Sequence, residues 1–185
     1  MGKQYDTITD KLKAFIEAQK VFFVSTAPLS GEGHVNLSPK GYDSFRVMGP
    51  NTVAWLDVGG SGIETMAHLK ENGRITIMFC AFDGSALILR LYGQGEAVPF
   101  DDPRFEGLLA QFPTFDKARA IVLVDVTRIQ DSCGWGVPFM DYREERDQLR
   151  RYADNPKVSA EDWADVYYTQ NAASIDGLKG IERPE

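Results

Sequence analysis

The chain has 185 residues, 43% apolar and 25% charged, the make-up of one ordinary globular domain with enough length for a full core. A net charge of −7 argues against a nucleic-acid surface or an anionic membrane surface, both of which need basic patches, and no apolar run is long enough to span a bilayer. Two cysteines make no disulfide framework, and the first residues, MGKQYDTITDKLKAF, lack a secretory apolar core, so a reducing, cytoplasmic location is expected.

Residues 9–18 read as an amphipathic helix, with Leu12, Phe15 and Ile16 on one face and Thr9 or Asp10 as N-cap. VFFVSTAP is a buried strand ended by Pro28, 34–38 a second strand and 44–48 a third. Residues 52–58 form a further strand, broken by Gly59-Gly60-Ser61-Gly62. A short helix follows, with Ile63, Met66, Ala67 and Leu69 at helical spacing and Gly73 as its left-handed C-cap. Ser61 and Glu64 stand at capping-box spacing.

RITIMFCAF, 74–82, is the strongest strand, with Cys80 as a small buried hydrophobe. Asp83-Gly84 marks a two-residue hairpin, and 85–98 returns as a long strand whose Gly93 and Gly95 predict a bulge or corner. Then come a helix over 101–112, a strand over 119–129, the loop CGWGVP, a charged helix over 141–153 and a helix over 159–168 capped by Ser159 and Asp162. Strands joined by short turns favour antiparallel pairing, and about six or seven with glycine bends tend to close as a small barrel. The chain has no G-x-G-x-x-G and does not alternate strand with helix, which argues against a dinucleotide-binding sheet.

Several residues are candidates for chemistry. Asn36 and Ser38 share a strand face, with Lys40 just beyond; the amide suits a ring edge and the ammonium a phosphate, although a polar exterior face fits the same pattern. The glycine turn opens a helix whose free N–H groups suit an anion, unless the capping box satisfies them. Trp55 reads as core, and Asp57 as a turn cap or a hydrogen-bond acceptor. Arg90, a charge inside LILRLYG, must be paired or meet an anion if it faces inward. Trp135 sits on a glycine loop where it can stack on a ligand or plug the barrel. His34 and His68 are the only histidines and lie far apart, so no metal site and no catalytic triad is expected. No catalytic residue stands out, and any chemistry would be carried by a bound cofactor.

Taken together, NLSPKG at 36–41, WLD…GSGxET at 55–65, NGR leading into RITIMFCAF, and LRLYGQGEAV resemble the pyridoxamine 5′-phosphate oxidase-like proteins, which are FMN-binding split barrels. CGWGVP, YREERDQLRRYA and NAASIDGL resemble a branch described as FMN-binding or oxidase-related. The resemblance implies a mainly β fold with peripheral helices (α+β), a split barrel over residues 1–140 and a helical extension over 141–185 packed on the same domain. It further implies a homodimer that holds FMN at its interface and acts on a small-molecule substrate. Asn36, Leu37, Ser38 and Lys40 would line the flavin and approach its phosphate, Leu56 and Asp57 would lie along it, and Ser61, Glu64 and Thr65 would approach the phosphate. Arg90 and Trp135 would be further contacts. Where the oxidases proper carry an Arg-Lys pair, this chain has Glu64-Thr65, so Lys40 with Arg74 or Arg90 would supply the positive charge. The expected activity is a flavin-dependent oxidoreductase. The alternatives are a non-catalytic flavin, deazaflavin or haem-type binding module, or an apo dimeric scaffold.

Overall fold

In the computed structural model, which describes residues 2–113, 115, 117–153 and 155–184, the apolar runs of the sequence become the centre of one antiparallel sheet. The strands are β1 (Gln4–Tyr5), β2 (Phe22–Thr26), β3 (Asn36–Lys40), β4 (Phe45–Gly49), β5 (Thr52–Asp57), β6 (Arg74–Cys80), β7 (Ile88–Pro99) and β8 (Ala120–Ser132). The helices are α1 (Asp10–Ala18), α2 (Glu64–Asn72), α3 (Phe105–Leu109), α4 (Gln148–Ala153) and α5 (Ala160–Gln170). Hydrogen bonding runs in the order β3-β2-β6-β7-β8-β5-β4, with β1 added to β8.

The ends of this path, β3 and β4, do not pair with each other, yet the sheet curls until β4 meets β2 and β6 through side chains. Phe45 of β4 meets Phe22 of β2 with ring centroids 5.0 Å apart and Phe79 of β6 at 5.1 Å. These rings close over the fully buried Trp55. The result is a split barrel, closed by aromatic packing where the backbone ladder stops. The curl is made possible at Gly93. The β7–β8 register shifts between Tyr92 and Gly93, and a Cβ on Gly93 would lie 2.2 Å from the Asp125 carbonyl oxygen, so only glycine lets the strands approach there. Among the described residues no helix is long and apolar enough to cross a membrane.

Several elements match their sequence signals. Thr9 caps α1 by accepting from the Leu12 N–H, Gly73 ends α2 at φ 69°, and Ser159 and Asp162 form a complete capping box on α5. Others are corrected. Pro39 does not end β3, because on an edge strand a missing N–H costs no ladder bond. The Asp83-Gly84 turn is wider than two residues: the last ladder bond runs from Ala81 N–H to the Leu87 carbonyl, and Asp83 caps its own turn through Gly84 N–H. The 101–112 helix contracts to α3, with Asp102 turned back onto the Arg104 N–H. Of the charged helix over 141–153 only α4 is helical. Residues 141–147 carry no apolar stripe, and exposed ion pairs such as Arg151–Asp147 contribute only about 0.3–0.5 kcal/mol each, too little to form helix alone.

The C-terminal segment packs on one wall of the barrel. Trp163 and Tyr167 of α5, with Ile181, bury against Ile63 just before α2, Met66 of α2 and Ala120 of β8. This places α5 against the turn that joins β5 to α2.

Candidate functional site

Residues from three places in the chain meet at a small cavity of about 100 Å³ beside the β5–α2 turn. Asn36, Ser38 and Lys40 come from β3, Glu64 and Thr65 from α2, and Arg119 from the residue before β8, with Gly59, Gly60 and Gly62 forming one rim. The period-two spacing of β3 brings the first three to one face, opposite Thr26, Val24 and Phe22 of β2.

A hydrogen-bond chain fixes the β3 side. Ser38 donates to the Asn36 side-chain carbonyl (2.9 Å), and the Asn36 amide donates to Thr65 Oγ1 (3.0 Å) and Thr26 Oγ1 (3.3 Å). Thr26 Oγ1 lies 2.9 Å from His68 Nδ1. Thr26 Oγ1 thus links the Asn36 amide to the imidazole, and the buried His68 Nε2 has no partner among the described residues. Burial lowers the His68 pKa, against the pull of the Asp176, Glu64 and Glu71 carboxylates, so the neutral ring is favoured. Both Asn36 amide protons are spent, and the Thr65 hydroxyl proton stays available to a ligand.

The turn is held differently. Asp57 and Arg119 are both almost fully buried and pair at 2.9 Å. Burial alone would raise the Asp57 pKa. The charges of Arg119 and Lys40, with hydrogen bonds from Arg119 and the Gly59 N–H, outweigh it and hold the carboxyl at about 2. The other Arg119 amino group donates to the Gly62 carbonyl (2.8 Å), the Gly60 carbonyl (3.2 Å) and Asn171 Oδ1 (2.9 Å).

The expected capping box is absent. The N-cap of α2 is Ile63, which has no side-chain oxygen to offer, and Glu64 instead accepts from the Ile175 N–H at 3.3 Å. Among the described residues, no protein group accepts from the backbone N–H groups of Ser61 through Thr65. Five unpaired donors at the positive end of a helix dipole, beside an ammonium, can bind an anion. The Lys40 ammonium makes no hydrogen bond or ion pair among the described residues and acts on Asp57 only through its field, so it is available to such an anion.

The remaining expected site residues lie elsewhere. Leu37 points to the opposite face of β3 and is exposed, and Leu56 is packed in the core with Phe105 and Ile121. Asp57 is committed to Arg119, and Ser61 meets the C-terminal segment through its carbonyl, which accepts from the Asn171 amide. Arg90 donates to Ser132 on the neighbouring strand, and Trp135 is 85% exposed on its loop. Neither lines the cavity. Arg74 binds Asn72 and the Pro28 carbonyl. The second cation at the cavity is therefore Arg119, not Arg74 or Arg90. Sequence reasoning overlooked it, although a charge heading the apolar run AIVLV raises the same question as Arg90.

The split barrel with a glycine turn feeding an open helix N-terminus has counterparts among known proteins. A family model described as pyridoxamine 5′-phosphate oxidase matches residues 8–133. The chain is 36% identical over 193 aligned residues to the pyridoxamine 5′-phosphate oxidase family protein ustO of Aspergillus flavus, across 96% of this chain and 77% of that one. The chain belongs to the pyridoxamine 5′-phosphate oxidase family. Among solved structures, HupZ of Group A Streptococcus superposes with a TM-score of 0.52 at 21% identity, covering 72% of this chain and 99% of that one. A Lactobacillus delbrueckii protein carrying the pyridoxamine 5′-phosphate oxidase name does so with a TM-score of 0.52 at 16% identity, covering 69% and 98%. At these identities the two structures show a shared fold.

Proposed function

We propose that this protein binds FMN and acts as a flavin-dependent oxidoreductase on a small molecule. The observation that carries this reading is the row of unpaired N–H groups from Ser61 to Thr65 beside Lys40. The donor set suits a phosphate: backbone N–H groups, the Thr65 hydroxyl and an ammonium. Glu64, the one carboxylate on the rim, accepts from the Ile175 N–H through Oε1, while its Oε2 lies against Gly62, 2.4 Å from where a Cβ would stand, so the side chain must swing aside for an anion to reach the Gly62 N–H. When bound, the flavin supplies the two-electron chemistry, while the protein binds, orients and shields it. Ser38 and Asn36, locked by their hydrogen bonds, offer acceptor lone pairs along one side, and Lys40 balances the phosphate charge.

The cavity holds only one end of such a ligand, since sites for whole cofactors usually exceed about 300 Å³. The rest of the flavin would lie against a second subunit. Exposed Val35, Leu37, Trp135, Phe139 and Met140 supply the apolar surface a homodimer would cover. Sedimentation at micromolar concentration is expected to give twice the chain mass.

Purified protein is expected to be yellow, to bleach with NADH or NADPH and to recover colour in air. Lys40→Ala is expected to weaken FMN binding about 10- to 100-fold, the loss of one charge-assisted contact. A colourless protein that takes up no added FMN would sink the proposal. A flavin that no donor reduces would favour a second reading, a holding module without turnover. Glu64-Thr65, standing where the oxidases proper carry an Arg-Lys pair, supports that alternative.

A further inference from the structure

The β5–α2 turn is shaped less by its own residues than by a segment a hundred residues later. Asn171, the residue after α5, is 1% exposed. Its side-chain carbonyl accepts from Arg119 at 2.9 Å, and its amide donates to the Ser61 carbonyl at 3.5 Å. Its own backbone is pinned: the N–H donates to the Tyr167 carbonyl, and the carbonyl accepts from the Ile181 N–H. Gly180 passes so close that a Cβ there would lie 2.0 Å from the Asn171 oxygen. Tyr167 presses on the other end of the turn, where a Cβ on Gly59 would lie 2.6 Å from its hydroxyl.

Peptide planarity gives these contacts a direction. No peptide bond in the described chain is cis, so each C=O points opposite to the N–H of the next residue. Arg119 draws the Gly60 and Gly62 carbonyls toward itself. It thereby turns the N–H groups of Ser61 and Ile63 away from the guanidinium, and both are among the unpaired donors. Asn171 in turn fixes the Ser61 carbonyl, which orients the Gly62 N–H. Three consecutive peptide units are thus set by Arg119 and Asn171, and Asn171 also holds Arg119. A free glycine turn would have to order itself on binding, at a cost in conformational entropy; here the order is built into the fold.

We propose that Asn171, acting through Arg119, is a positioning residue that pre-sets the 60–63 turn as a phosphate cradle. The C-terminal segment then belongs to the binding site although it touches no ligand. The assignment of the ligand rests on the FMN reading above; the pre-setting of the turn does not.

The test compares Asn171→Ala with the intact protein for FMN and for riboflavin, which has the same ring and no phosphate, and follows hydrogen exchange of peptides covering 59–65. The expected result is about a tenfold loss of FMN affinity, an unchanged riboflavin affinity, and faster exchange across the turn. Equal weakening toward both flavins would overturn the proposal by marking a general loss of structure, and so would wild-type affinities with wild-type exchange. If the intact protein binds neither flavin, the FMN reading fails and exchange alone decides: faster exchange in the variant supports the pre-set turn, and unchanged exchange refutes it. Should Asn171→Ala not accumulate, Asn171→Leu keeps the side-chain volume and removes both the acceptor for Arg119 and the donor to Ser61. The same three measurements then support or overturn the proposal in the same way.

Discussion

Two arginines in this protein each face carboxylates, and they contribute very differently. Arg104 pairs with Glu96 at 2.6 Å and Asp102 at 2.9 Å on the surface, about half exposed. Arg119 pairs with Asp57 at 2.9 Å and is nearly sealed from water. By distance alone Arg104 is the better bonded. In water, however, its charges are solvated with or without partners, and mobile ions screen what remains. Arg119 and Asp57 have lost their hydration, so each depends on the other and on the loop carbonyls around them. Short ion-pair distances therefore say little here, and burial decides which arginine organises structure.

Arg119→Met is expected to produce the largest change. It leaves the Asp57 carboxylate buried without its cation, and the carbonyl oxygens of Gly60, Gly62 and the Asn171 side chain without a donor. A loss of about 3–5 kcal/mol follows, readable as a large drop in the urea or thermal midpoint. A variant as stable as the parent would mean that water already reaches the pair. Acid comes next. Asp57 stays ionised in the fold down to about pH 2, whereas in the unfolded chain it takes up a proton near 3.8. Its contribution, about 2 kcal/mol, is complete above about pH 4 and fades as the pH falls toward 2. Chemical denaturation from about pH 5 downward should show this slope, and Asp57→Asn should flatten it. Arg104→Ala is expected to do least: its midpoint should stay close to that of the parent and respond no differently to added salt. A marked destabilisation there would undo the contrast.

Much of the barrel was legible because its signals are local. RITIMFCAF and AIVLVDV can hardly be anything but strands, and the bulge at Gly93, the Gly73 cap and the Ser159–Asp162 box each rest on residues within a few positions of one another. The site was legible only in part. Asn36, Ser38 and Lys40 were singled out by a strand period and Thr65 by family resemblance, and the structure brings all four to one cavity. Arg119, His68 and Asn171 were not, since what makes them matter is a partner 42 to 62 residues away, and no spacing rule encodes that. Glu64 was misread for the same reason: at capping distance from Ser61, it is taken instead by the Ile175 N–H, 111 residues downstream. The charged stretch 141–147 failed differently, because surface charge pairs look helical in sequence but contribute too little to hold a helix without an apolar face.

The contact between Asn171 and Ser61 also sets an order of events during synthesis. Every strand of the barrel has been made once Ser132 is added, but Asn171 follows about 40 residues later, some 2–8 s at ordinary elongation rates. In that interval a nascent chain can pair all its strands while the 60–63 turn still lacks its lock. The barrel can therefore form on the ribosome before the 60–63 turn meets its distant partner, and the setting of that turn comes last.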